Sequence, residues 1–308
     1  MKIKIAVCIS GLIRHLDITS KIFEYWNSLY DEIEFVFFLS GWKNLEQSEN
    51  NFKLYIKTLP YSLSTSTIYK EQIQYPDFDF SKYKFLTDYE TLCYDDIPKL
   101  AFENISKRKW SVDNTFLYSY ALYRVHELRR KYGEKFDCVI QVREDVFVPK
   151  PILDKLYYYN VTLEKKYNPK VFFAGKGLYL SKVGQILLKD ESFNFGSSLV
   201  MDEYSNMFRD SYLTSSIPDY LKEKRPIHPA INARQLIENK IYVHTIFNKL
   251  KSSLTKVIRT NYHDITFVDS RMMLKSELQD IIEKHGVEFL YSKDYAPNKY
   301  IIEVLKSL

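Results

Sequence analysis

Hydrophobic positions along the chain fall into blocks that alternate between two periods. Ile3 to Ser10 is a near-continuous apolar run rich in β-branched residues, the pattern of a strand buried on both faces. Gly11 ends it. Ile18, Ile22, Tyr25, Trp26 and Leu29 then recur at helical spacing. A second apolar run covers Ile33 to Leu39 and stops at Ser40-Gly41. Strand, helix and strand in such close succession predict a βαβ unit. Residues 42–110 are mixed and polar, with a third strand predicted over Thr67–Gln74 and a loop over Tyr75–Ser81.

The clearest helix follows. Asp113 is placed to cap it, and Leu117, Ala121, Val125, Leu128 and Tyr132 form one apolar stripe. Arg129, Arg130 and Lys131 put positive charge in its last turn, with Gly133 just beyond. Phe136 to Val142 is another buried strand, running into Arg143-Glu144-Asp145 and closed by Pro149 and Pro151. Val171–Ala174 reads as a short strand before Gly175-Lys-Gly177. Helices are predicted over Ser181–Lys189 and Leu199–Phe208. Ser276 with Gln279 makes a capping box for a helix ending near Gly286, and Val287–Tyr291 reads as a late strand. Alternating strands and helices predict an α/β fold with a mostly parallel sheet flanked by helices.

Composition narrows the function classes. The 308 residues allow one large domain or two small ones, and 45% hydrophobic with 27% charged is ordinary globular usage. The excess of 44 basic over 39 acidic residues gives +5, too little for a nucleic-acid binder defined by its charge. The basic stretches Lys107–Trp110 and Lys222–Arg225 read as solvated faces, so no nucleic-acid partner is expected. Only 8 Gly and 10 Pro exclude low-complexity and disordered classes. Cys8 and Cys138 lie in apolar runs and read as buried thiols. Together with Cys93 they make neither a disulfide framework nor a zinc spacing. The histidines show no HExxH pairing, and no GxSxG is present. No apolar run approaches the roughly 20 residues of a membrane span. A soluble, cytoplasmic protein without a transmembrane segment is expected, with peripheral association at a membrane left open.

Three constellations carry candidate chemistry. Ser10-Gly11-Leu12-Ile13-Arg14 stands where a strand end, a glycine turn and a helix start coincide. Ligands of open α/β sheets bind beyond strand carboxyl ends, helix N-termini favour phosphate, and Arg14 adds a bidentate donor. The competing reading is a tight turn with Arg14 in a surface ion pair. The sequence is neither GxGxxG nor a Walker loop. Arg143-Glu144-Asp145, at another strand end, offers oxygen ligands for Mg²⁺ or Mn²⁺; otherwise these are solvated strand-end charges. In Glu191–Ser198, Gly196 and two serines precede a helix, where Ser197 or Ser198 is most simply an N-cap. Glu191 is a carboxylate considered as a general base, although an isolated Glu usually is not one.

Taken in order, these segments resemble a bacterial and viral family of GT-A-type glycosyltransferases that build surface glycans. The resemblance rests on Ala6–Arg14, with its Ser-Gly-x-x-Arg turn, and Phe35–Trp42. It continues through Phe116–Tyr120 with Lys135–Val146, Phe193–Met201 and Ile227–Ile231. It spans roughly residues 3 to 245. It implies a GT-A-like, Rossmann-like fold over 1–250, with a nucleotide-binding half at 1–150 and an acceptor half at 151–250; residues 251–308 form an α/β extension packed on the same domain. It implies transfer of a sugar from a nucleoside diphosphate sugar to a hydroxyl of an oligosaccharide or lipid-linked glycan. Ser10, Gly11, Arg14, Arg143 and Asp145 would bind the donor, Asp145 would hold Mn²⁺ or Mg²⁺, and Glu191 or Asp202 would take the acceptor proton in an inverting reaction. Two departures stand out: the family's Asp-Gln-Phe step is Glu191-Ser-Phe193 here, and its Pro-Glu step is Pro229-Ala230. The alternative is a non-catalytic nucleotide- or carbohydrate-binding protein on the same fold.

Overall fold

A computed structural model describes residues 2–13, 15–42, 79–108, 114–158, 171–174, 178–180, 186–188, 193–214, 240–245, 256–259, 272–292 and 295. The first βαβ unit forms as its pattern predicts. β1 (Ile3–Leu12) leads into α1 (Leu16–Trp26), which returns to β2 (Ile33–Trp42), parallel to β1. Both strands run past the expected stops. Gly41 pairs with Gly11 inside the ladder, and a side chain at Gly41 would collide with Ile13, so this glycine serves close packing rather than strand termination.

The third strand of the sheet is β3 (Leu86–Leu92), where none was expected. The Thr67–Gln74 strand and most of the Tyr75–Ser81 loop lie outside the described residues; at the end of the latter, Asp79 caps a 3₁₀ turn over Phe80–Lys82. α2 (Lys99–Lys107) and α3 (Asn114–Tyr132) follow. Asp113 lies outside the described residues, while Gly133 has the left-handed φ of +80° expected after the helix. α3 leads back to β4 (Cys138–Arg143), which pairs parallel to β1. A short β5 (Val146–Phe147) precedes α4 (Lys150–Tyr158), with Pro149 and Pro151 at the helix start, where proline is tolerated.

β6 (Val171–Ala174) forms as read; of the helix expected over Ser181–Lys189 only residues 186–188 are described, and these are not helical. Residues Ile186–Leu188 are β8, paired antiparallel with β7 (Leu178–Leu180). The Ile-Leu-Leu run fits a short strand as well as a helix face, and periodicity alone does not separate the two. β9 (Phe193–Gly196) then enters α5 (Ser198–Ser205), capped by the Ser197 hydroxyl, which accepts from the Val200 amide. β10 (Tyr242–Thr245), β11 (Lys256–Arg259) and β12 (Met272–Leu274) precede α6 (Lys275–His285). Ser276 lies inside α6, so it does not cap it. Gly286 ends the helix at φ +79°, and residues 288–291 form a 3₁₀ turn rather than a strand.

Seven of the described strands form one sheet in the order β10-β6-β9-β4-β1-β2-β3, parallel except for β9. The fold is therefore α/β with a mostly parallel sheet. Alternation along β1 and β4 gives each face its own core. Ile5, Val7, Ile9, Ile140 and Val142 pack with α1, α4 and the 275–291 segment. Ala6, Cys8 and Val139 pack beneath α3 and α5. Cys8 and Cys138 are fully buried, as expected, and burial pushes the Cys8 thiol up to about 12. No described helix is long and apolar enough to cross a membrane.

Candidate functional site

The chain steps outward from β1 to β2 to β3 on one side, whereas β4 lies on the other side of β1. The direction of travel thus reverses between β1 and β4. In open α/β sheets, ligands occupy the crevice at such a switch point, outside the strand carboxyl ends. The two motifs separated by 130-odd positions in the sequence meet there, because Ser10 of β1 and Arg143 of β4 are register partners. Gly11 holds a φ of +123°, a backbone conformation that a side chain strains, and no described residue comes within 4 Å of where that side chain would begin.

The acidic pair divides its work between the two faces. Glu144 is buried, and its Oε1 accepts from the His15 backbone N–H at 2.6 Å and from the Thr19 hydroxyl at 3.3 Å. His15 precedes α1 and gives that helix no side-chain cap of its own. A carboxylate from the β4 end therefore sits at the positive end of the α1 dipole, the seat the sequence suggested for a phosphate. Asp145 turns elsewhere. Its Oδ1 accepts from Arg143 Nε at 2.9 Å and its Oδ2 from Arg143 Nη2 at 2.6 Å. The Asp145 side chain is 4% exposed against 34% for Arg143, so the carboxylate is the inner partner and the guanidinium the outer one. The Asp145 charge raises the Arg143 pKa, keeping the guanidinium charged.

The resemblance implies Mn²⁺ or Mg²⁺ at Asp145, but the described residues around it do not fit such an ion. Both Asp145 oxygens face a guanidinium, which repels a divalent cation, and Glu144 is directed toward α1. Among the described residues no three His, Cys, Asp or Glu side chains converge on a common point. The pair is instead a neutral bidentate clamp that uses two of the five guanidinium N–H donors.

Arg14 and Glu191 lie outside the described residues, as do Gly175–Gly177, Lys222–Arg225 and Ile227–Ile231. Asp202 is described and does not join Ser10 and Arg143. It accepts from Arg129 and, at 2.8 Å, from Arg130 Nη1 in the last turn of α3. That turn lies by the start of β4, because α3 runs back across the sheet, and Ser198 donates there to the Phe136 carbonyl at 3.4 Å. Asp202, Gly196 and the Ser197 cap thus occupy the strand amino ends, across the sheet from the switch point.

Three elements of the site were not read from sequence. Ser40, the β2 neighbour of Ser10, donates to Glu90 Oε1 at 2.9 Å. Arg124 of α3 holds Glu90 with Nε at 3.0 Å and Nη2 at 2.5 Å. Beneath Ser10, Gln141 Nε2 donates to the Ser10 Oγ at 2.8 Å, and Gln141 Oε1 meets His126 Nε2 at 3.2 Å. A signal for Gln141 was present: it is the one amide in the apolar run Cys138–Val142, and a buried amide needs partners.

His126 is fully buried, and burial, with Arg129 and Arg130 nearby, holds its pKa well below the usual histidine value. The unfolded chain binds a proton at this position near pH 6.5, whereas the folded chain does not. Stability is therefore expected to fall as pH drops below about 6.5, by up to about 1.4 kcal/mol per pH unit, until the folded-state pKa is reached. Urea unfolding at pH 7.5, 6.5 and 5.5 checks this. His126→Gln should show a shallower acid-side decline, and an identical decline would remove His126 as its source.

No protein-family model matches the chain, and no curated protein matches it. Among solved structures it is similar to mouse xyloside xylosyltransferase 1 in its apo form, at 9% identity and a TM-score of 0.30, over 80% of this chain and 84% of that one.

Proposed function

We propose that the chain is a glycosyltransferase that moves a sugar from a nucleoside diphosphate sugar to a hydroxyl of a glycan acceptor in surface-polysaccharide synthesis. The observation supporting this reading is the meeting of Ser10-Gly11 with Arg143 at the β1/β4 switch point. In this reading residues 1–150 carry the nucleotide, 151–250 the acceptor, and 251–308 pack against the same domain. Breaking the bond to the sugar builds negative charge on the leaving diphosphate. Arg143, braced by Asp145, and Arg14 supply the positive charge that stabilises it. A carboxylate that takes the acceptor proton completes an inverting reaction, and Glu191 is the candidate.

One observation favours the second reading, a binding protein without turnover. Glu144, Asp145 and Asp202 are all engaged by cationic or N–H groups, so none is a ready base.

The test is thermal shift and calorimetry with UDP, GDP, CDP and ADP, in EDTA and in Mn²⁺, followed by hydrolysis of the matching nucleotide sugar. One nucleotide should raise the melting temperature by mass action, equally in both conditions. Arg143→Ala should weaken it about 10- to 100-fold, since a hydrogen bond to a charged group contributes roughly 1.5–3 kcal/mol. Binding with slow sugar release supports the transferase, and binding with none supports the second reading. The absence of any shift would remove the donor site altogether.

A further inference from the structure

Gln141 and His126 are both 0% exposed, in a core where apolar side chains of similar size would pack without needing partners. The hydrogen-bond geometry fixes how each is oriented. Gln141 Nε2 lies 3.3 Å from the Val142 carbonyl, which only accepts, so the amide nitrogen must face that side. The amide oxygen then faces His126, which must carry its proton on Nε2. His126 Nδ1 is consequently left as a buried acceptor with no hydrogen-bond partner. Such an orphan is unfavourable, and it persists here in a string whose far end is the Ser10 hydroxyl of β1, just before Gly11.

The orientation also sets the character of that hydroxyl. Ser10 Oγ accepts from Gln141, so its own proton turns away from Gln141 and acts as a donor. Ser10 is itself 0% exposed, so its hydroxyl acts from beneath the switch point rather than on a ligand directly. Gln141 is a diagonal neighbour of Ser10 on the α3 face of the sheet, since Cys8 is its register partner. It therefore ties the exit of β1 to β4 where the two strands diverge.

We propose that Gln141 is a positioning residue: oriented by His126 and acting through Ser10, it holds the β1 exit in the geometry that a donor site at the switch point needs. This rests on the donor-site reading above, and its test separates the two. Dissociation constants for UDP, GDP, CDP, ADP and inorganic pyrophosphate are measured for the wild type, Ser10→Ala, Gln141→Leu, Gln141→Met and the Ser10→Ala/Gln141→Leu double variant. Hydrogen exchange is followed over residues 8–16 and 33–42. Gln141→Leu should weaken the bound nucleotide and pyrophosphate at least tenfold with Ser10 present, and less than twofold in the Ser10→Ala background. Exchange should quicken at least tenfold over 8–16 and stay unchanged over 33–42. Gln141→Met supplies the same comparison if the leucine variant folds poorly.

Additive losses of affinity would overturn the proposal, because Gln141 would then not act through Ser10. Unchanged exchange at the β1 exit would overturn it too, whether or not any nucleotide binds. A wild type that binds no probe would sink the donor-site reading and, with it, the bearing of this buried string on ligand binding.

Discussion

Replacing Trp26 with alanine is expected to lower stability by about 4 kcal/mol, within the ~3–5 kcal/mol range for truncating a buried aromatic. The side chain is fully buried at the end of α1. Its ring meets Phe23 edge-on at 5.3 Å and Phe35 at 5.5 Å, so removal opens a cavity between α1 and the sheet. The indole N–H also donates to the Tyr291 hydroxyl at 2.8 Å, tying the helix to the last described turn of the chain. Trp26→Phe separates the two contributions. It keeps most of the apolar contact but removes the donor, and about 1–2 kcal/mol should be lost. Urea unfolding of the three proteins measures both. A loss below 1 kcal/mol for the alanine variant would mean that α1 is not packed in this way.

Glu144→Ala is expected to cost about 3 kcal/mol. Roughly 1 kcal/mol is the usual loss of a helix N-cap, and about 2 kcal/mol follows from losing a charge-assisted bond and leaving buried donors unmatched. α1 has no local substitute, since His15 gives no side-chain cap. Glu144→Gln keeps an oxygen in place and should cost no more than about 1.5 kcal/mol. Urea unfolding ranks the variants, and hydrogen exchange over residues 15–19 locates the effect. Equal losses for alanine and glutamine would show that the acceptor atom is not what matters.

The contrast between these two residues shows what a sequence can reveal. Trp26 belongs to a helical stripe, and such stripes are local patterns; α1, α3, β1, β2 and β4 all formed where their periodicity predicts. β3 escaped notice because Leu86–Leu92 is an edge strand with alternating exposure and four polar residues among its seven. Residues 186–188, the described part of the Ser181–Lys189 segment, and Val287–Tyr291 departed from their reading because short apolar runs have no distinctive period. At the site, the convergence of Ser10 and Arg143 followed from reading both as strand ends. The partners of Glu144 and Asp145 did not, because neighbours in sequence turned to opposite faces: one caps a helix 125 or more residues away and the other clamps its neighbouring arginine. An acidic pair looks like a metal ligand until its hydrogen bonds are known.

One face of the sheet is closed by residues made more than a hundred positions after β1, β2, β4 and α4. Ile5, Val7, Ile9 and Phe37 share their core with Leu278, Leu290 and Tyr291. On a ribosome adding about 5–20 residues per second, the apolar surface of α1 and α4 waits on the order of 10 s for those residues to emerge. A nascent chain in that interval presents a sticky, half-covered sheet, a natural client for chaperones. A message truncated before Lys275 would release a product that keeps the strands of the switch point but lacks this cover.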